Sequence, residues 1–211
     1  MKKITFLLSI TIAAFLCACN SNKSVQLFNG KDLSGWEFII DNNSAPANEV
    51  FMVKDGVIHI TGKPLGYMYT KEKYSDFTLD IELRWANGES NSGIFLLIED
   101  PKNPFPNGIE CQLQAGNAGD FVLLGGSDLA EFKQNEGEER PKFPIIRKKN
   151  PSNEKPAGEW NKANITVKDG VIDVTINGVH QNTGTDKIKS GHIGLQSEGG
   201  AVEFRNITLN K

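Results

Sequence analysis

Thiols are scarce in this chain. Of its three cysteines, Cys17 and Cys19 lie near the N-terminus and only Cys111 lies in the interior of the sequence. A single interior thiol excludes an internal disulfide, so a folded domain has to be stabilised by a hydrophobic core. The remaining length, about 185 residues, is enough for one such core and favours a single domain over residues 25–211.

Several familiar functional signatures are also missing. The 23 Lys and Arg residues are scattered, are outnumbered by 26 acidic residues and form no basic stripe, which argues against a nucleic-acid partner. There is no G-x-S-x-G nucleophile motif, no phosphate-binding loop and no dinucleotide fingerprint. No internal repeat is present either, which argues against a β-propeller.

A run of apolar residues long enough to span a bilayer is lacking as well, but the N-terminus is distinctive. Lys2 and Lys3 precede an apolar stretch over 4–16, which is the pattern of an export signal. The following Leu16-Cys17-Ala18-Cys19 resembles a bacterial lipobox. We therefore expect a lipoprotein signal peptide over 1–18, with an ordinary secretory peptide cleaved nearby as the alternative.

Cleavage there would make Cys19 the lipidated first residue and residues 19–24 a tether. Losing Lys2 and Lys3 leaves 21 basic against 26 acidic residues, so the net charge moves from −3 to −5. The expected location is the cell envelope, with the lipid as the only membrane attachment. The periplasmic side and the cell surface both stay open.

What fills the rest of the chain is a series of short strand patterns. Residues 77–85, for example, alternate strictly between apolar and polar, as a half-buried strand does. Turn signals recur every eight to twelve residues, residues 125–158 form a long irregular insert, and no helix is indicated after the signal peptide. This spacing predicts a two-sheet antiparallel β-sandwich or jelly roll. The predicted elements are a short strand into a turn over 25–36, a hairpin over 51–60 with its turn at 54–56, and strands over 65–70, 77–85, 94–99, 108–114, 121–124, 161–168, 171–177, 179–181, 192–197 and 202–209.

One strand carries an unusual polar face. Along residues 108–114, Ile109, Cys111 and Leu113 take one side and Glu110, Gln112 and Gln114 the other. A carboxylate and two amides in a row are suited to binding sugar hydroxyls, although a plain exposed sheet face is the alternative.

A second strand offers a similar pair. Gln196 and Glu198 share one face by the same period of two. If both strands lie in one concave sheet, Glu110 and Glu198 could face a common groove. The alternative for Glu198 is a turn residue beside Gly199 and Gly200.

Five segments of the chain carry recognisable motifs. They are Leu27–Trp36 (LFNGKDLSGW), Asn91–Phe95 (NSGIF), Gly108–Gln112 (G-x-E-x-Q), Gly158–Asn161 with Asn177-Gly178 (GEWN…NG), and Gly194–Gln196 with Phe204–Ile207 (GLQ…FRNI). Together these segments resemble the 3-keto-disaccharide hydrolase domain family. The resemblance covers essentially the whole mature chain, and its motifs occur in the family's order. One departure is that an Arg often follows the family's GIF, whereas Leu96, Leu97 and Ile98 continue apolar here.

The resemblance implies a concanavalin-like jelly roll that acts on carbohydrate at the cell envelope. In a 3-keto-glycoside the C2 hydrogen is acidic, so a base can remove it, the C1 substituent can leave, and water can then add. Glu110 is the first candidate for that base and Glu198 the second. The sequence offers no site for oxidising the sugar, so a separate sugar 3-oxidoreductase is the expected upstream partner.

Further residues could bind the substrate of such an enzyme. Arg84 could hold the enolate oxygen or neutralise Glu110, or it could form a surface salt bridge with Glu82 or Asp80 instead. Lys155 could donate over the groove or be merely solvated. Trp160 could stack on a sugar ring or belong to the core.

No cofactor is indicated by the sequence. The three histidines, His59, His180 and His192, have no ligand-like spacing. A divalent metal stays open, because oxygen ligands such as Asp120, Asp128 or Glu110 could gather in space. Two other functions also stay open: a non-catalytic carbohydrate-binding module, and a conventional two-carboxylate glycosidase.

Overall fold

The computed structural model describes residues 24–211. The expected signal peptide and the lipidation site Cys19 lie outside these residues. Within the described part of the chain, no helix is both long and apolar enough to cross a membrane.

Two antiparallel sheets make up the described chain. The eight-stranded sheet has the order β13-β12-β11-β6-β15-β4-β3, with β1 paired to β15, and the seven-stranded sheet has the order β10-β9-β8-β7-β14-β5-β2. The strands are β1 Ser24–Gln26, β2 Trp36–Ile40, β3 Phe51–Lys54, β4 Val57–Ile60, β5 Gly66–Thr70, β6 Phe77–Trp85, β7 Gly93–Ile98, β8 Gly108–Gln112, β9 Phe121–Leu124, β10 Ile145–Ile146, β11 Asn161–Lys168, β12 Val171–Ile176, β13 Val179–Thr185, β14 His192–Ser197 and β15 Val202–Asn210. The predicted all-β, two-sheet class is confirmed.

The main core lies between the two sheets. Alternate residues of β6, such as Leu79 and Ile81, are buried in one cluster with Ile94, Ile109 and Leu195 of the other sheet. Since side chains alternate across a strand, the remaining residues of each strand point away from this core. Each sheet therefore has an outer face as well as an inner one.

A second apolar cluster covers the outer face of the seven-stranded sheet. It consists of Tyr67, Tyr69, Phe95, Ile98, Val122 and Leu124, with Ile39, Phe105 and Phe143 packed against it. Strand β7 is buried along its whole length for this reason. The continuous apolar run of β7 is therefore covered on both sides.

The structure differs from the predicted elements in a few places. Strand β2 was not predicted, and a short 3-10 turn over Asp41–Asn43 and one helical turn over Ala47–Val50 follow it. The strand predicted over 108–114 ends at Gln112, because the backbone N–H of Gln112 and of Gly119 bond back across a turn. Within the long insert over 125–158, only Ile145–Ile146 forms a strand.

Candidate functional site

A small cavity opens on the outer face of the seven-stranded sheet. Register places Phe95 of β7, Glu110 of β8, Val122 of β9 and Ile145 of β10 in one row across the strands. Glu198 follows directly after β14, the other neighbour of β7. The cavity has a volume of about 180 Å³ and is lined by Asn91, Phe105, Glu110, Gln112, Val122, Leu124, Phe143, Ile145 and Glu198. The sequence prediction that Glu110 and Glu198 face a common hollow is confirmed.

Glu110 is buried far more deeply than the half-exposed strand pattern predicts. The residue is only 3% exposed, and its Oε1 atom has no hydrogen-bond partner among the described residues. Burial, and secondarily the nearby Glu198 carboxylate, raise the pKa of Glu110 to about 8. Once ionised, this carboxylate is a much stronger base than an exposed one.

Gly93 makes room for that carboxylate. A Cβ atom at this position would lie 2.3 Å from Oε1 of Glu110, which is far inside van der Waals contact. Gly93 stands opposite Gln112 in the β7–β8 register, so the missing side chain opens the sheet surface beside Glu110. The glycine of the NSGIF segment therefore has a direct structural role at the site.

Glu198 is held at the cavity by Asn91. The Asn91 side-chain amide donates a hydrogen bond of 2.8 Å to Oε2 of Glu198, whose side chain is only partly buried. Burial raises the pKa of Glu198 as well, and the nearby Gln196 amide offsets part of this increase. The two carboxyl groups thus share a cavity but differ in burial and in hydrogen bonding.

Several buried polar atoms around Glu110 and Glu198 lack partners. Among the described residues, neither amide atom of Gln196, nor Oδ1 of Asn91, nor the hydroxyl of Tyr67 makes a hydrogen bond. Tyr67 and Gln196 stand opposite each other in the β5–β14 register, on the same outer face. Because buried polar groups are nearly always satisfied in proteins, these atoms have hydrogen-bonding capacity left for water or a ligand.

Sequence reasoning missed four residues of this region. Asn91 lay inside the quoted NSGIF segment and could have been named, whereas nothing in the sequence marks Tyr67. Phe105 and Phe143 belong to proline-containing loops, where aromatic residues next to turns carry no periodic signal. Their ring centroids are 4.8 Å apart over the cavity.

The two other amides predicted on the Glu110 strand have different positions. Gln112 lines the cavity, while its Oε1 accepts hydrogen bonds of 3.0 Å from the backbone N–H groups of Leu113 and Gln114. Gln114 does not continue the row, because the chain has already turned. Its side chain is exposed and accepts a hydrogen bond from Asn117.

Arg84 and Trp160 lie on the opposite side of the molecule. Arg84 projects from the outer face of the eight-stranded sheet, where it pairs with Glu203. The guanidinium carbons of Arg84 and Arg205 lie 4.6 and 4.0 Å from the centroid of the Trp160 ring. Arg84 therefore forms a salt bridge, although with Glu203 and not with the expected Glu82 or Asp80. Trp160 neither joins the core nor faces Glu110.

Lys155 does not line the Glu110 cavity either. Its ammonium donates to the backbone carbonyl of Trp160 at 3.0 Å, and its side chain lines a separate polar depression with Trp85, Glu89 and Gly116. Of the sequence candidates, Glu110, Gln112 and Glu198 thus line the cavity, and Gln196 lies fully buried on the same outer face of the sheet.

No metal centre is evident within residues 24–211, where no group of three or more His, Cys, Asp or Glu side chains gathers. Asp120 binds Arg147 at 2.7 Å and the Lys148 N–H at 2.8 Å, whereas Asp128 pairs with Arg140. The three histidines make separate contacts: His59 with Glu203, His180 with Asp173, and His192 with the Thr70 carbonyl.

The arrangement combines what proton transfer at a sugar carbon requires. A deeply buried carboxyl with a raised pKa lies beside a second carboxyl, and unpartnered amide and hydroxyl groups surround them. Such a site can remove a proton from carbon, hold sugar hydroxyls and return a proton to a departing oxygen.

Comparison with known proteins identifies relatives of the whole described domain. Residues 23–210 match the 3-keto-alpha-glucoside-1,2-lyase-like domain family. A Bacteroides thetaiotaomicron protein named 3-keto-disaccharide hydrolase is 25% identical over an alignment of 163 residues, and the match covers 70% of this chain and 53% of the relative. The chain thus spans about half the length of this curated relative.

Solved structures share the fold at lower identity. A Parabacteroides distasonis protein described as a candidate glycosyl hydrolase superposes with a TM-score of 0.64 at 22% identity, covering 89% of this chain and 93% of that one. The carbohydrate-binding module CBM66 from Bacillus subtilis gives 0.61 at 12% identity, with 84% and 96% covered. Bacillus licheniformis β-glucanase gives 0.58 at 11% identity, with 92% and 99% covered. Both enzymes and binding modules use this jelly roll, so the fold alone does not decide between them.

Proposed function

This chain belongs to the 3-keto-alpha-glucoside-1,2-lyase-like domain family, and we propose that it cleaves the glycosidic bond of 3-keto-glycosides. The single observation that carries the proposal is the buried Glu110 carboxyl with an unpartnered oxygen in a cavity shared with Glu198. A binding module gains nothing from such a group, because burying an unsatisfied carboxyl is costly. A base that has to abstract a weakly acidic proton gains from it directly.

In the proposed reaction, Glu110 removes the proton from C2, next to the 3-keto group. The electron pair of the C2–H bond forms a C1–C2 double bond as the C1–O bond breaks, and the departing oxygen takes a proton. Addition of water then places a hydroxyl on C1 and a proton on C2. Elimination followed by hydration amounts to hydrolysis, which accommodates both a lyase-like family and a relative named as a hydrolase.

In this proposal Glu198 donates the proton that the departing oxygen takes up. Its carboxyl is oriented by Asn91 and is less buried than Glu110, so it can exchange protons with solvent between turnovers. In this proposal Gln112, which lines the cavity, binds a sugar hydroxyl, and Gln196 supports Glu198 from the same outer face of the sheet. Because the 3-keto group has to be made first, an upstream sugar 3-oxidoreductase belongs to the proposal.

The proposed location is the cell envelope, with Cys19 as the lipid attachment site. The lipobox-like Leu16–Cys19 sequence supports this placement. We expect the Cys19→Ser variant to be lost from membrane fractions, which cell fractionation would measure.

The test is to follow free sugar from a 3-keto disaccharide and from the same disaccharide before oxidation. We expect release only from the keto sugar, with kcat/KM rising with pH through about 8 as Glu110 ionises. Glu110→Gln should lower kcat by at least about a thousandfold, since the base is removed without changing the shape of the side chain. Glu203→Gln, on the other sheet, is the matched control and should retain the parental rate.

Three results would contradict the proposal in different ways. Binding without turnover would indicate a carbohydrate-binding module. Cleavage of the unoxidised disaccharide would indicate a conventional two-carboxylate glycosidase. Parental turnover by Glu110→Gln would leave the chemistry in place but remove Glu110 as its base.

A further inference from the structure

The lining of the cavity that holds Glu110 changes from polar to apolar across neighbouring strands of the sheet. On the β14 and β8 side it is polar, with Glu198 and Glu110. One strand further, Val122 lies opposite Glu110, and Ile145 lies opposite Val122 on the edge strand β10. Since neighbouring strands are about 4.8 Å apart, the apolar side lies within about 10 Å of the Glu110 backbone.

Two loops extend the apolar side into a wall. Phe105 comes from the loop before β8 and Phe143 from the long insert, and their rings pack together against Val122 and Leu124. Ile145 completes the wall at the sheet edge and remains 39% exposed. The apolar surface therefore continues from inside the cavity to its mouth.

The size of the cavity limits what it can enclose. At about 180 Å³ it is smaller than the roughly 300–1,000 Å³ of pockets that take up a complete ligand. A sugar ring whose C2 reaches Glu110 occupies the polar side, so the group attached at C1 has to leave the enclosed space. The wall of Phe105, Phe143 and Ile145 is the surface that extends away from the carboxylates.

We propose that this wall is a subsite for an apolar aglycone, so that the preferred substrates are 3-keto-glycosides of alkyl or aryl alcohols. The inference rests on the proposed function, because it assigns the leaving group of the same reaction. A second sugar placed there would find no side-chain hydrogen-bond partner for its hydroxyls in Val122, Ile145 or Phe143. An alkyl or aryl group would instead remove apolar surface from water on both partners.

A homologous series of substrates tests the proposal. The 3-keto-glucosides of methanol, butanol and hexanol have the same reacting atoms and similar leaving-group basicity, and differ in apolar length. For the wild-type protein we expect kcat/KM to rise about two- to fourfold with each added methylene that reaches the wall. A 3-keto disaccharide should react no faster than the methyl glucoside.

A matched pair of variants locates the effect. Ile145→Asn changes an exposed residue, so folding should be unaffected, and we expect the hexyl-to-methyl ratio of kcat/KM to fall at least fivefold. Val179→Asn is the control, because Val179 is 40% exposed but lies on the other sheet. Its hexyl-to-methyl ratio should equal that of the wild-type protein.

The outcomes separate this inference from the function on which it rests. Cleavage of all substrates with no dependence on chain length, or a disaccharide that reacts faster than the hexyl glucoside, would overturn the aglycone subsite and leave the proposed function intact. A length dependence that Ile145→Asn does not change would overturn the assignment of the wall. Failure to cleave any 3-keto-glycoside would instead refute the proposed function.

Discussion

Two glutamates on opposite outer faces of the sandwich are almost equally buried but differ in their surroundings. Glu110 on β8 is 3% exposed and Glu203 on β15 is 7% exposed. One Glu203 oxygen lies 2.9 Å from Nδ1 of His59, and the other accepts a hydrogen bond from Arg84. Glu110 faces Glu198 across a cavity and has an oxygen with no partner among the described residues.

The comparison shows that burial of a carboxylate does not by itself indicate function. Burying a charge is costly unless nearby groups compensate for it, and at Glu203 they do. On the same face Arg205 pairs with Glu82 and Lys162 with Asp80, so the polar groups there are mutually satisfied. What distinguishes Glu110 is that one of its buried oxygens has no hydrogen-bond partner among the described residues.

The largest effect that should separate the two glutamates is on stability as a function of pH. The pKa of Glu110 is about 8 in the folded protein and near 4.5 when unfolded, so the folded state binds the extra proton between these values. The free energy of unfolding should therefore fall as pH rises from about 4.5 to about 8, by up to about 5 kcal/mol. The amide side chain introduced by Glu110→Gln cannot ionise, so the unfolding free energy of this variant should not fall over this range. The difference in unfolding free energy between the variant and the wild-type protein should therefore grow from pH 5 to pH 8, as measured by urea unfolding at pH 5, 6, 7 and 8.

Glu203→Gln provides the control for this experiment. It leaves Glu110 unchanged, so its unfolding free energy should keep the wild-type pH dependence while being lower by about 1–2 kcal/mol through lost pairing with Arg84 and His59. If the unfolding free energies of Glu110→Gln and the wild-type protein changed in parallel with pH, burial would not raise the pKa of Glu110.

A smaller effect should come from the glycine that makes room for Glu110. Gly93→Ala places a Cβ where the carboxylate now lies, so the carboxyl has to move, and we expect kcat on a 3-keto disaccharide to fall about a hundredfold. Gly35→Ala is a suitable control, because its Cβ would meet only the Leu27 carbonyl at 3.8 Å. Equal activity of the two variants would mean that the position of the Glu110 carboxyl is unimportant for turnover.

The smallest effect should arise on the other face. Trp160→Ala removes the ring that contacts Arg84 and Arg205, and at this partly exposed site the loss should be about 1 kcal/mol of unfolding free energy. Turnover should change less than twofold, because the ring is remote from Glu110. A large loss of activity in a variant with near-normal stability would mean that the eight-stranded face takes part in substrate binding.

Strand prediction succeeded where local pattern and tertiary burial agree. The alternation over 77–85 coincides with β6, and the segments 121–124, 161–168 and 192–197 coincide with their strands. Strand β2 was missed because it begins at Trp36, which from the sequence marks the end of a turn. The indole N–H of Trp36 donates a hydrogen bond to the Leu27 carbonyl, nine residues earlier. Non-local pairing of this kind has no local signal.

The site was predicted where residues share a strand face and missed where loops contribute. Period two identified Glu110 with Gln112 and Gln196 with Glu198, and sheet order then brought both pairs to one surface. The same periodicity put Arg84 on a polar face, but it could not tell which of the two outer faces that was. Phe105 and Phe143 reach the cavity only through the path of irregular loops.

The sequence by itself determined that this chain folds into two antiparallel sheets and that a carboxylate on one strand has amides for neighbours, because side-chain alternation is a local property of β-structure. Only the tertiary structure decided that Glu110 is buried without a partner, that Gly93 and Asn91 support the two carboxyl groups, and that an apolar wall borders them. The physical reason is that desolvation and missing hydrogen bonds depend on every group that surrounds an atom. Those surroundings exist only after distant segments have packed together.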